Sequence, residues 1–135
     1  MIIDAKDLII GRLGTVAAKK ALLGEDVIIV NTDKAIISGT KEKVYAAYKQ
    51  KRDRGTFKGP FIPRRSDLFV KRLLRGMIPK RGRGPDAFAR IKCYVGTPSQ
   101  FEGKAITIKE ANVSKIPNLK YVTIQEICRQ LGGKI

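Results

Sequence analysis

The most chemically distinctive side chains of this sequence suit phosphate. In RGMIPKRGRG, Arg75 to Gly84, the cations Arg75, Lys80, Arg81 and Arg83 stand among glycines and a proline, with Arg72 just ahead and no acid between them. A guanidinium donates two parallel hydrogen bonds to a phosphate and offers a flat face to a base. Glycines let backbone N–H groups come close to an anion. Prolines limit the freedom a loop loses when it becomes ordered. The one apolar pair in the run, Met77-Ile78, reads as an anchor that holds the root of the loop in a core.

The same chemistry extends to either side. The chain has 135 residues, with 28 Lys+Arg against 12 Asp+Glu and a formal net charge of +16. Between Lys49 and Lys92 there are fifteen bases and three acids (Asp53, Asp67 and Asp86), so less than a third of the chain holds most of the excess charge. A solvated face normally mixes signs, as an exposed helix does with its Glu–Lys pairs. This segment does not, and such an excess repels itself unless a polyanion neutralises it. Candidate contacts within it are Arg52, Arg54, Lys58, Arg64, Arg65, Lys71, Arg72, Arg75, Lys80, Arg81, Arg83 and Arg90. Arg12 joins them from the start of a helix further up the chain, a place where phosphates bind. Phe57 and Phe61 interleave with the charges; each can stack on an unpaired base for about 1–3 kcal/mol or pin the loop to the body.

Other chemistries find little to work with. There is no histidine, and Cys93 and Cys128 form no C-x-x-C pair, so neither a zinc site nor any other metal site is expected. Both cysteines sit among apolar neighbours and read as reduced core residues. No Ser or Cys has a base near it in sequence, and no carboxylate pair sits in an apolar pattern, so no catalytic residue, cofactor or small-molecule substrate is expected. Asp4, Asp7, Glu25, Asp26 and Asp33 read as turn caps that offset local charge. Gly11-Arg12-Leu13-Gly14 is a GxxG, but only ten residues precede it, which argues against a KH domain. It also lacks the third glycine of a dinucleotide fingerprint. It reads as a tight strand-to-helix turn. No run of about 18 apolar residues and no signal layout is present, so a cytoplasmic protein without a membrane partner is expected.

The elements that must position these side chains are short. VIIV (27–30) is β-branched, continuous and brief, the mark of a buried strand. Ala35 to Ile37, IIDA at the start, IKCYV (91–95) and AITI (105–108) are further strand candidates. A helix is predicted over Arg12 to Leu23, with Leu13, Val16, Ala17 and Leu23 on its apolar face and Gly24 as its stop. A second opens at an N-cap, Thr40, has Glu42 in its first turn and ends in bases before Gly55, as the helix dipole favours. A third, SDLFVKRLLRGM, is capped by Ser66, with Phe69, Val70, Leu73, Leu74 and Met77 on one arc and Lys71, Arg72 and Arg75 opposite. A short helix opens at Gly84-Pro85. The last begins with a capping box, Thr123 to Glu126, and buries Ile124, Ile127, Cys128 and Leu131. Strands alternating with helices predict one α/β domain over residues 1–135, with a mainly parallel sheet covered on both faces.

Taken together, GRL opening a helix, VNTDKAIISG (30–39), RGMIPKRGRGPDAFARIKCYVGTP (75–98) and the closing helix strongly resemble the ribosomal protein L-thirteen family of the large subunit, in its short archaeal form. The resemblance runs over nearly the whole chain. It implies a three-layer α/β/α fold with a four-stranded, mainly parallel sheet and basic Gly/Pro-rich loops. It implies binding to large-subunit ribosomal RNA beside neighbouring ribosomal proteins, support of early subunit assembly, and no enzymatic activity. The RNA-facing segment that it implies covers Arg64-Arg65, Arg72, Arg75 and the Lys80-Arg81-Arg83 loop through Arg90. Eukaryotic members often carry histidine where Lys80 stands here, which keeps the charge and removes a ring. A general nucleic-acid-binding protein not tied to the ribosome is the alternative.

Overall fold

VIIV forms the central strand of a parallel sheet, and the rest of the molecule is arranged around it. The structure, a computed structural model, describes residues 1–54, 62–115 and 120–133, without the side chain of Lys115. Strand β1 (Ile2–Asp4) pairs in parallel with β2 (Val27–Val30), Ile2 opposite Ile28, and β2 pairs in parallel with β4 (Ile91–Cys93), Val27 opposite Ile91. Parallel neighbours need a crossover, and α1 (Ile10–Leu22) provides the one between β1 and β2. Val27 and Ile29 point to one side of β2 and Ile28 and Val30 to the other; only Ile28 is less than fully buried. Both faces of the central strand are therefore covered.

The expected single four-stranded sheet is divided. β3 (Ile36–Ser38) pairs with β5 (Tyr121–Thr123) as an antiparallel two-stranded ribbon, Ile36 opposite Thr123. The ribbon is tied to the rest through Ile36 N–H, which donates to the Leu8 carbonyl at 2.9 Å. AITI, expected as a strand, contributes one bridge: Ile106 accepts from Asp4 N–H and donates to the Ile2 carbonyl along the free edge of β1. Its backbone reaches the sheet edge at that residue, and Ile106 and Thr107 remain exposed.

Three more helices between the ribbon strands build the basic half: α2 (Lys41–Asp53), α3 (Ser66–Arg75) and α4 (Gly84–Arg90). The closing helix is α5 (Ile124–Gln130). α1 packs against α3 and α4, and α5 against α2 and α3. α1 stops where expected: Gly24 N–H reaches the Ala21 carbonyl, and Gly24 at φ +100° turns the chain so that Glu25 N–H reaches that of Lys20. This is the left-handed close that glycine allows. Leu23, however, points outward at 68% exposed, so the buried face of α1 is Leu13, Ala17, Ala18 and Ala21.

On α3 the buried apolar residues are Phe69, Val70 and Leu74; Leu73 is half-buried, and Met77, just past its end, is 40% exposed. Ser66 is not the cap of α3. Arg65 holds that position, and the buried Ser66 hydroxyl donates to Cys128 Sγ on α5 at 3.9 Å. Asn31, left-handed at φ 56°, donates through its amide to Asp4 and accepts from Thr97. Asp33 accepts from Gly96 N–H, so of the acids expected to cap turns Asp4 and Asp33 do so at the strand ends.

The two expected N-caps differ, and the difference is measurable. Thr123 accepts from Glu126 N–H at 3.3 Å and Glu126 accepts in return from Thr123 N–H at 3.4 Å, a complete capping box. Thr40 caps α2 by position alone, with no side-chain hydrogen bond. Thr123→Ala is expected to cost about 1 kcal/mol in chemical denaturation, and Thr40→Ala only a few tenths. Equal losses would show that the capping contact is not what Thr123 contributes.

Candidate nucleic-acid interface

Several cations of the basic segment meet around the end of α3. The run from Arg72 to Phe88 lines three surface hollows, each with two cations, and in two of them the second cation comes from another helix. One holds Arg72 with Lys51 of α2, over Tyr48, Phe69 and Gly76. The next holds Arg75 with Lys80, over Ile78, Pro79, Pro85 and Phe88. The third holds Arg83 with Lys19 of α1, over Leu22, Leu23 and Met77. Like charges gathered around shared hollows repel one another in the free protein, and an anion laid across them removes that cost.

The loop that carries Lys80, Arg81 and Arg83 is shaped by its backbone. Ile78, 5% exposed, is its anchor, while the Met77 thioether lies against Gly14 of α1. Thus Ile78 holds the root alone in the core, and Met77 covers a helix. Arg81 and Arg83 carbonyls accept from Gly84 and Ala87 N–H groups at 3.3 and 3.0 Å, which turns the chain into α4. Gly84 permits a close crossing: a Cβ there would overlap the Pro79 carbonyl. Lys80, Arg81 and Arg83 are all exposed, and among the described residues no acid pairs with them or with Arg75.

Other expected contacts are partly committed to the body. Arg90 donates to the Ala21 carbonyl at 3.0 Å, which joins the end of α4 to the end of α1. Arg12 donates to the Glu110 carbonyl at 3.2 Å. Arg65 pairs with Asp67 at 3.0 Å and Arg52 with Asp53 at 3.3 Å. The Lys71 ammonium sits over the Phe88 ring, 4.9 Å from its centre. Arg64 lies beside Gly132 after α5, and Arg54 is exposed at the end of α2. Lys58, with Phe57 and Phe61, falls outside the described residues.

Lys51 counts in the basic segment but not among the candidate contacts, and Lys19 is a participant that sequence reasoning missed altogether. It sits far from the basic segment in the chain, and only the packing of α1 on α3 and α4 brings it to Arg83. Its i+1 neighbour Lys20 instead faces Glu25 at 3.9 Å.

Neither thiol is poised for chemistry. Burial pushes the Cys93 thiol up to about 12, the nearby Lys71 opposing weakly, and burial also raises Cys128 against the hydrogen bond from Ser66. A thiol held protonated is a poor nucleophile and a poor metal ligand. Among the described residues no three His, Cys, Asp or Glu side chains are grouped to hold a metal ion, and no helix is long and apolar enough to cross a membrane.

Residues 1–100 match the sequence model of the family described as Ribosomal protein L13, a span that takes in the whole basic segment. The chain is 45% identical over 136 residues to a protein of Methanococcoides burtonii named large ribosomal subunit protein uL13, with 98% of each chain covered. Proteins with the same name are 44% identical in Methanopyrus kandleri, covering 97% of this chain and 86% of that one, and 38% identical in Haloarcula marismortui, covering 98% and 91%.

Proposed function

This chain belongs to the ribosomal protein L13 family, and on that premise we propose that it is a structural, non-catalytic component of the large ribosomal subunit. It binds large-subunit ribosomal RNA through the hollows at the end of α3, beside neighbouring ribosomal proteins, in the cytoplasm. The observation that supports this most is the set Arg75, Lys80, Arg81 and Arg83, exposed on a backbone-defined loop with no acidic partner among the described residues. The body positions the cations and the cations bind. Affinity comes chiefly from phosphate neutralisation and counterion release. Selectivity comes from RNA shape and splayed bases, because the deep groove of an A-form helix is hard for side chains to read.

Two finer features belong to the same proposal. Neutralising several RNA segments at one protein face brings them together, which suits a role early in subunit assembly. The three-layer α/β/α frame is supported by the cover on both faces of β2.

Tagged protein in a cell lysate is expected to sediment with large subunits at low salt and to be released by high salt or ribonuclease. An excess of duplex DNA should not displace it. Protein that stays at the top of the gradient at low salt overturns the proposal, and displacement by DNA would mark a general nucleic-acid binder.

A further inference from the structure

We infer that the hollow between the end of α3 and the start of α4 seats one unstacked ribonucleotide, its base against Phe88 and its phosphate between Arg75 and Lys80. The inference rests on the RNA-binding reading above and deepens it. Ile78 forms the floor, Pro79 and Pro85 form walls, and Phe88 closes one side. The cavity holds about 320 Å³, near the low end for clefts that take a small ligand. That is room for a base with its sugar and too little for a helix.

The chemistry of the lining selects the occupant. A bare phosphate has no use for an apolar floor, and an apolar protein side chain has no use for two cations at the rim. A nucleotide joins both demands in one molecule. Unstacked RNA bases are commonly held on aromatic rings in this way. Lys71 already lies over Phe88, so the base takes what remains of the ring. No neutral hydrogen-bonding side chain lines the hollow. The seat therefore accepts a base by stacking, with little regard for which base it is.

The seat is also built before the ligand arrives. Both prolines have a fixed φ. Gly84 lies so close under the Pro79 carbonyl that a Cβ would overlap it, which sets the spacing of the two walls. Ile78 is anchored in the core. A pre-formed site loses less freedom on binding than a loop that must first become ordered.

The test measures binding to deproteinised large-subunit rRNA at several salt concentrations. Phe88→Leu keeps an apolar side chain but removes the ring; it is expected to bind roughly tenfold more weakly with an unchanged salt slope. Lys80→Ala is expected to lower the slope of log affinity on log salt by about 0.7–0.9. Wild-type affinity in Phe88→Leu, or a reduced slope in that variant, overturns the inference. Ultraviolet cross-linking of wild-type large subunits gives a second measurement that needs no variant. A single-nucleotide adduct is expected on Phe88 or its neighbours in the hollow. Adducts confined to other basic residues, or a cross-link from the hollow to another protein, overturn the seat while leaving RNA binding intact. Wild-type protein that does not bind rRNA at all removes the functional proposal itself.

Discussion

Phe69→Ala is expected to cost about 3–5 kcal/mol and to leave a large unfolded fraction at ordinary temperature, since small domains are stable by only about 5–15 kcal/mol. The ring is 2% exposed, among the largest fully enclosed groups of the core, and it packs at 57° on Tyr48 of α2 with centres 5.1 Å apart. Removing it takes away the transfer energy of the ring and leaves a void between α2 and α3. No neighbour fills that void cheaply: α3 is fixed on the other side by Val70 and Leu74, both fully buried. Leu68→Ala is the control. Leu68 is the neighbouring residue, 47% exposed, and its loss should stay within about 0.5 kcal/mol. Urea denaturation of both variants measures the contrast. Near-wild-type stability in Phe69→Ala would mean that α3 is not seated as described, and the placement of Arg72 and Arg75 would fall with it.

What the sequence makes legible is what its near neighbours decide. VIIV is a strand because four adjacent residues are apolar and all β-branched. Gly24 ends α1 because a left-handed residue is required there, and Thr123 with Glu126 caps α5 because both partners lie within one turn. What stays hidden depends on distant segments. β5 escapes notice because Tyr121 and Thr123 face outward or halfway, and the strand exists only through pairing with β3. Ser66 has the sequence signature of a cap, yet Cys128 on another helix takes its hydroxyl. Leu23 fits the apolar periodicity of α1, but the helix has already run past the core when it arrives.

The candidate interface divides in the same way. The excess of charge between Lys49 and Lys92 is a property of composition and can be counted. Which cations the body uses is a property of packing. Arg90 and Arg83 look alike in sequence, both being bases next to helix boundaries. One reaches the Ala21 carbonyl, and the other stands in solvent beside Lys19. Nothing local distinguishes them, because the Ala21 carbonyl and the Lys19 ammonium both come from α1. A charge run thus predicts the region of an interface well and its individual members poorly.

Neutralising that outward group, Lys80→Gln with Arg81→Gln and Arg83→Gln, is expected to weaken rRNA binding by about two orders of magnitude at 0.1 M salt. Each cation makes one phosphate contact and releases about 0.7–0.9 of a counterion. The slope of log affinity on log salt should therefore fall by about 2–3. Folding should be indifferent to the change. The three side chains are exposed and have no acidic partner among the described residues. The turns beneath them are closed by backbone atoms of Arg81 and Arg83, and glutamine supplies the same atoms. Lowering a net charge of +16 by three units also relieves self-repulsion, so the melting temperature of the free protein should hold or rise slightly. Stability and binding thus respond in opposite ways to the two experiments, Phe69 affecting the body and the loop affecting the grip. A triple variant that keeps the wild-type slope would move the RNA to another face. One that melts many degrees lower would make these cations part of the fold.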